Sequence, residues 1–113
     1  MKVKLYLARP TIEVNGKRVP APTDTVIFAR ISYGGYQLKY YLDEVINPKY
    51  WNNKEHRVKE TTKYPQHPEF NNRLKKDIAK IETVVRTYYN DNDSKYPTPE
   101  VLKPLIDIAR QIL

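Results

Sequence analysis

Lys2, Lys4, Arg30 and Lys39 fall in short alternating stretches that also carry Tyr6, Phe28, Ser32, Gln37 and Tyr41. Cations of this kind neutralise phosphates, Arg and Gln pair with base edges, and aromatic rings stack or pack against sugars and thymine methyl groups. The chemistry implied is recognition of a polyanion. Bond-making chemistry finds no matching set. His56 and His67 are the only histidines, and they lack the HxxxH or HExxH spacing that would put two imidazoles on one helix face. There is no cysteine to complete a metal site. Gly34-Gly35 leads into a strand-like run and not into a helix N-terminus, so it is no phosphate loop. Asp43, Glu44 and Glu55 lie among Lys and Arg, where ion pairing is their ordinary fate. No catalytic residue, metal or cofactor is expected.

The elements that would position these side chains can be read from periodicity. Lys2-Val3-Lys4-Leu5-Tyr6-Leu7 alternates with a period of two, which predicts a half-buried strand with Val3, Leu5 and Leu7 on one face. Pro10, Asn15-Gly16, Pro20 and Pro22 predict a long loop, with a small excursion around the Asn-Gly turn. Thr25–Tyr33 and Tyr36–Leu42 are β-branched and aromatic runs joined by Gly34-Gly35, a tight-hairpin signature. In that register Tyr33 faces Tyr36, Ala29 faces Tyr40 and Ile27 faces Leu42. One face then collects Ile27, Ala29, Ile31, Leu38, Tyr40 and Leu42, and the other collects Phe28, Arg30, Ser32, Gln37, Lys39 and Tyr41.

From Pro68 the period becomes helical. Phe70, Leu74, Ile78, Ile81, Val85 and Tyr88 form one stripe, and Asn90-Asp91-Asn92-Asp93 supplies a stop. Thr98-Pro99-Glu100 predicts a second helix carrying Val101, Leu102, Leu105, Ile106, Ala109 and Ile112, with Pro104 as a kink or a later start. The expected class is α+β: a three-stranded antiparallel sheet with a long helix on one face and a second, C-terminal helix. One helical stripe covers one sheet face, so the face with Lys2, Lys4, Tyr6, Phe28, Arg30, Ser32, Gln37, Lys39 and Tyr41 is expected to stay open.

The chain has 113 residues, enough for one compact domain. Its net charge of +7 is uneven: residues 1–63 hold twelve Lys/Arg against six Asp/Glu, and residues 64–113 hold eight against seven. Such asymmetry favours nucleic acid first and an anionic membrane surface second. The apolar runs are only a few residues long, which argues against export or membrane spanning and makes a soluble intracellular (cytoplasmic) protein the default. RNA is a less favoured partner, because the aromatics alternate with long cations instead of forming a stacking platform. A protein-interaction module, docking by the sheet edge or the apolar final helix, is the alternative from another class.

One stretch carries a family likeness. Ile46-Asn47-Pro48-Lys49-Tyr50-Trp51-Asn52-Asn53-Lys54-Glu55-His56-Arg57-Val58 resembles the I-x-P-x-x-W-D-x-K-x-x-R-V segment near the N-terminus of Bacteroides-type tyrosine recombinases of the phage integrase family. Pro68-Glu69-Phe70-Asn71-Asn72-Arg73-Leu74 resembles that family's N-x-x-L helix start, and the opening Lys-Val-Lys-Leu-Tyr-Leu-Ala-Arg its first strand. Asn52 replaces the usual Asp, keeping an acceptor but no charge, and Asp43-Glu44-Val45 replaces a glycine-containing turn. The resemblance implies an arm-type DNA-binding domain, whose sheet enters the major groove of duplex DNA at arm sites beside other protomers of the recombinase, in bacterial cytoplasm. Catalysis would belong to a separate C-terminal domain that this chain does not reach. The implied layout is a DNA-binding domain over residues 1–97, with the sheet in 2–42, a Trp-containing loop in 43–66 and a helix over about 68–90. Residues 98–113 form a helix that either packs here or leads into a core-binding domain. Pro48 and Trp51 are expected as a structural anchor where the chain crosses from sheet to helix.

Overall fold

The computed structural model describes residues 1–111. In chain order the elements are β1 (Lys2–Leu7), β2 (Thr11–Val14), β3 (Lys17–Pro20), β4 (Thr25–Tyr33), β5 (Tyr36–Ile46), a 3-10 turn (Pro48–Tyr50), β6 (Trp51–Asn52), β7 (Arg57–Val58), α1 (His67–Asp91) and α2 (Pro99–Gln111). The fold is α+β, with an antiparallel sheet in the order β1-β4-β5 and two separate ribbons, β2-β3 and β6-β7.

The Gly-Gly hairpin forms as the sequence predicts. Gly34 and Gly35 take φ of 49° and 84°, both in the left-handed region that a two-residue turn of this twist requires. Gly34 is needed for a second reason, since a methyl group there would collide with the Tyr96 ring. From this turn the pairs run Tyr33↔Tyr36 to Phe28↔Tyr41 in the expected register. The expected Ile27–Leu42 pair does not form. The ladder shifts between Val26 and Phe28, so that Val26 pairs with Val45 and Thr25 with Ile46. Asp43 sits at a φ of 59° in this bulge. The shift keeps Ile27 and Leu42 both buried, carries β5 on to Ile46 and tucks Ile46 into the core as well. The excursion around Asn15-Gly16 is the β2-β3 ribbon, whose strands pair only with each other.

The core lies between the sheet and the two helices. Leu5, Ile27, Ala29, Ile31, Tyr40 and Leu42 meet Phe70, Leu74, Ile81 and Val85 of α1 and Leu102 and Ile106 of α2. Each buried Leu, Ile or Val contributes roughly 1.5–3 kcal/mol relative to exposure. α2 begins at Pro99 and runs through Pro104 without ending there. It packs on this domain, and polar contacts fasten it. The Tyr40 hydroxyl donates to the Asp107 carboxylate, and the Arg110 guanidinium donates to the Leu42 carbonyl and, at 3.3 Å, to Asp77. Burial pushes the Asp77 carboxyl up against the opposing pull of Arg110. Ile112, expected on this helix, lies outside the described residues.

Residues 43–66 are more ordered than the loop expected from sequence. Asn47 caps the 3-10 turn by accepting from the Lys49 N–H at 3.1 Å, and its amide donates to the Pro22 carbonyl at 3.0 Å. Trp51 then pairs with Val58 across the β6-β7 ribbon, and both are buried. Asn52 accepts from the Lys54 and Glu55 N–H groups, each at 3.0 Å, closing the turn without a carboxylate. Asn71 of α1 docks the ribbon, its side chain accepting from the Val58 N–H and donating to the Val58 carbonyl, both at 3.0 Å.

Tyr33 yields a test of core polarity. Its hydroxyl is buried with no hydrogen-bond partner, and burial, then Tyr36, pushes its pKa up to about 12. Tyr33→Phe should therefore raise stability at neutral pH by about 1 kcal/mol, by removing an orphan polar group. The folded protein keeps a phenol proton that the unfolded chain releases near pH 10. Its stability is thus fully present below pH 10 and is lost as pH climbs toward 12. Urea midpoints at pH 8 and pH 11 should fall less in Y33F than in the wild type; equal falls would mean that the hydroxyl is solvated.

Candidate nucleic-acid interface

The sheet face turned away from α1 and α2 is organised in rows across the strands. The register aligns Lys2, Ser32 and Gln37 in one row, Lys4, Arg30 and Lys39 in the next, and Tyr6, Phe28 and Tyr41 in the third. Neighbouring strands are about 4.8 Å apart, so the middle row holds three cations within roughly 10 Å. Like charges directly opposite one another destabilise a sheet unless something compensates them. Among the described residues the ion pairs are Arg57 with Glu55 and Glu60, Arg73 with Glu44 and Arg110 with Asp77, none of them on this face. The row is positive and uncompensated.

The aromatic row props these cations up. Phe28 stacks on Tyr6 at 5.7 Å and tilts against Tyr41 at 5.9 Å. The Arg30 guanidinium lies 5.0 Å from the Tyr6 ring centre, and the Lys39 ammonium 4.3 Å from that of Phe28. Such cation–π contacts are worth about 0.5–1 kcal/mol each at exposed sites and hold long side chains upright.

The structure places all nine sequence-predicted residues on this face. Lys2, Lys4, Arg30, Gln37, Lys39 and Tyr41 are exposed, and Tyr6 and Ser32 are half-buried. Phe28 differs from expectation: it is only 6% exposed, because Tyr6 and Tyr41 flank it and Lys39 roofs it. It supports the face and cannot stack on a base.

Sequence reasoning missed His56. Its ring meets Tyr6 edge-on at 4.8 Å, and its Nδ1–H donates to the Leu5 carbonyl at 3.0 Å, tying the β6-β7 turn to β1 at the border of this face. The backbone at His56 is left-handed, with φ of 55°. Nothing in a lone histidine signals such a contact. Pro48 and Trp51 take no part in the open face: Pro48 starts the 3-10 turn and Trp51 is 3% exposed in the core.

A basic, carboxylate-free sheet face on a small helix-backed domain now stands beside a family comparison. The arm DNA-binding domain family matches residues 21–103. The chain belongs to that family. Arm DNA-binding domains are non-catalytic modules of phage integrase-type recombinases, and DNA is their partner. The match begins at residue 21, so β4, β5, the Trp51 ribbon and α1 lie within it while β1 and the β2-β3 ribbon lie outside. β1 nevertheless completes the sheet and brings Lys2, Lys4 and Tyr6 to the arm domain's open face. No curated protein and no solved structure matches the chain. Among the described residues no helix is long and apolar enough to cross a membrane.

Proposed function

We propose that this arm domain binds arm sites in duplex DNA as the N-terminal module of a site-specific tyrosine recombinase, with the β1-β4-β5 face in the major groove. The observation that carries this reading is the uncompensated Lys4–Arg30–Lys39 row. A three-stranded ribbon fits a groove about 12 Å wide, where phosphates line the rims and base edges the floor. Arg30 and Gln37 are the side chains suited to base edges, and Lys2, Lys4 and Lys39 mainly meet phosphates. Tyr6, Ser32 and Tyr41 supply hydroxyls to the same surface. The reaction chemistry of the recombinase belongs to another domain.

Binding should be salt dependent. With about four to six phosphates neutralised, log K should fall against log salt with a slope of roughly −4 to −5. Fluorescence anisotropy on a labelled duplex between 50 and 200 mM salt measures it; a flat response defeats the proposal. Excess single-stranded RNA should compete poorly.

A second reading, subunit assembly, is favoured by one feature. Val84 and Tyr88 of α1 and Leu105, Ile108 and Ala109 of α2 line an apolar groove, and Ile108 is 53% exposed. Concentration-dependent self-association abolished by Ile108→Lys, in a chain giving no DNA shift at low salt, would support assembly over DNA binding.

A further inference from the structure

A second cationic hollow lies off the sheet, at the root of the β6-β7 ribbon. Lys49, Tyr50, Lys59, Thr61 and Lys63 enclose about 470 Å³, and no carboxylate lines it. None of the three lysines takes part in an ion pair among the described residues. Two chain segments, one before Trp51 and one after Val58, bring them together.

The backbone under these lysines is pinned. The Lys59 N–H donates to the Tyr50 carbonyl at 2.7 Å, the Tyr50 N–H to the Asn47 carbonyl at 3.0 Å, and the Tyr64 N–H to the Thr61 carbonyl at 3.1 Å. The Lys63 N–H donates to the Thr61 hydroxyl oxygen at 3.3 Å, which leaves that hydroxyl's proton free to point elsewhere. The Tyr50 ring stacks on Tyr64 at 4.8 Å, and the Lys49 ammonium lies 4.9 Å from its centre.

We propose that this hollow is an anion site that takes one phosphate group. Three ammonium groups and a hydroxyl offer donors in excess, and the three like charges disfavour one another when the hollow is empty. A phosphate, with several acceptor oxygens and one or two negative charges, removes the repulsion and can meet all of them. The phosphate is either a backbone phosphodiester of a duplex held by the sheet, in which case the site rests on the DNA reading above, or free phosphate, in which case it does not.

The test uses the full chain, the variant K49Q/K59Q/K63Q, a charge-matched control K75Q/K95Q/K103Q and the charge-preserving K49R/K59R/K63R. Inorganic phosphate is titrated while backbone amides are followed by NMR, and duplex DNA binding is measured against salt. Phosphate should shift amides of residues 47–63 in the wild type, the control and the arginine variant, and not in K49Q/K59Q/K63Q. If the phosphate is part of DNA, the salt slope of K49Q/K59Q/K63Q should also be shallower by about one than that of the control, since one phosphate is no longer neutralised. Amide shifts lost with an unchanged slope identify free phosphate as the ligand. No phosphate response in the wild type, together with equal slopes in the glutamine variant and the control, overturns the site. A wild type that ignores DNA yet responds to phosphate would defeat the DNA reading alone.

Discussion

R30Q/K39Q should bind duplex DNA about a hundredfold more weakly than the wild type, or worse, while keeping its fold. Each side chain presents a charged donor to the open face, and a charge-assisted hydrogen bond is worth about 1.5–3 kcal/mol. Losing two removes at least about 3 kcal/mol, and each 1.4 kcal/mol is tenfold in affinity. The expected effect on stability is small because two contributions oppose. The variant loses cation–π contacts on Tyr6 and Phe28, and it relieves the cross-strand repulsion along the Lys4–Arg30–Lys39 row. A net change within about 1 kcal/mol moves the melting temperature by about 4 °C at most for a chain of this size. Anisotropy and a thermal melt on the same sample decide the matter. A melt lowered by far more, with affinity lost only in proportion to unfolding, would mean that these residues are structural and the DNA surface lies elsewhere.

Trp51→Ala is expected to be the most damaging single change, and to act on folding alone. The indole is 3% exposed and belongs to the main core, with Trp51 paired to Val58 across the ribbon. Truncating a buried Trp typically loses about 3–5 kcal/mol, against a total stability of about 5–15 kcal/mol for a domain. Its loss also loosens the ribbon that Asn71 holds through both backbone groups of Val58. Urea unfolding should show the midpoint falling, and the fraction still folded should bind DNA with wild-type affinity. A W51A chain that remains fully folded and fails to bind would reassign the indole to the DNA surface.

The fold was legible wherever one local rule dominated. Gly34-Gly35 set a hairpin whose register followed by counting, and the stripe from Phe70 to Val85 announced α1. Counting failed at Asp43, because a bulge adds residues to one strand and leaves alternation intact on either side. Phe28 went astray for a related reason: alternation reports the face a residue occupies and not how far its cross-strand neighbours cover it. The contacts fastening α2 were beyond reach, since Tyr40 meets Asp107 and Arg110 across 67 and 70 residues of sequence. Asn71 gave a faint signal within the N-x-x-L likeness, yet only the structure shows that its amide completes the backbone pairing of Val58.

The β2-β3 ribbon has a practical consequence. Its strands bond to each other alone, Ile12 and Val14 are left in solvent, and the family match starts just after it. Such an appendage is a place where length can vary without disturbing the core: the tip at Asn15-Gly16 should accept a fluorophore, an affinity tag or a crosslinker. A reporter there would replace none of the residues of the open face. That offers a way to watch the domain meet its target in real time with every surface side chain of the open face left native.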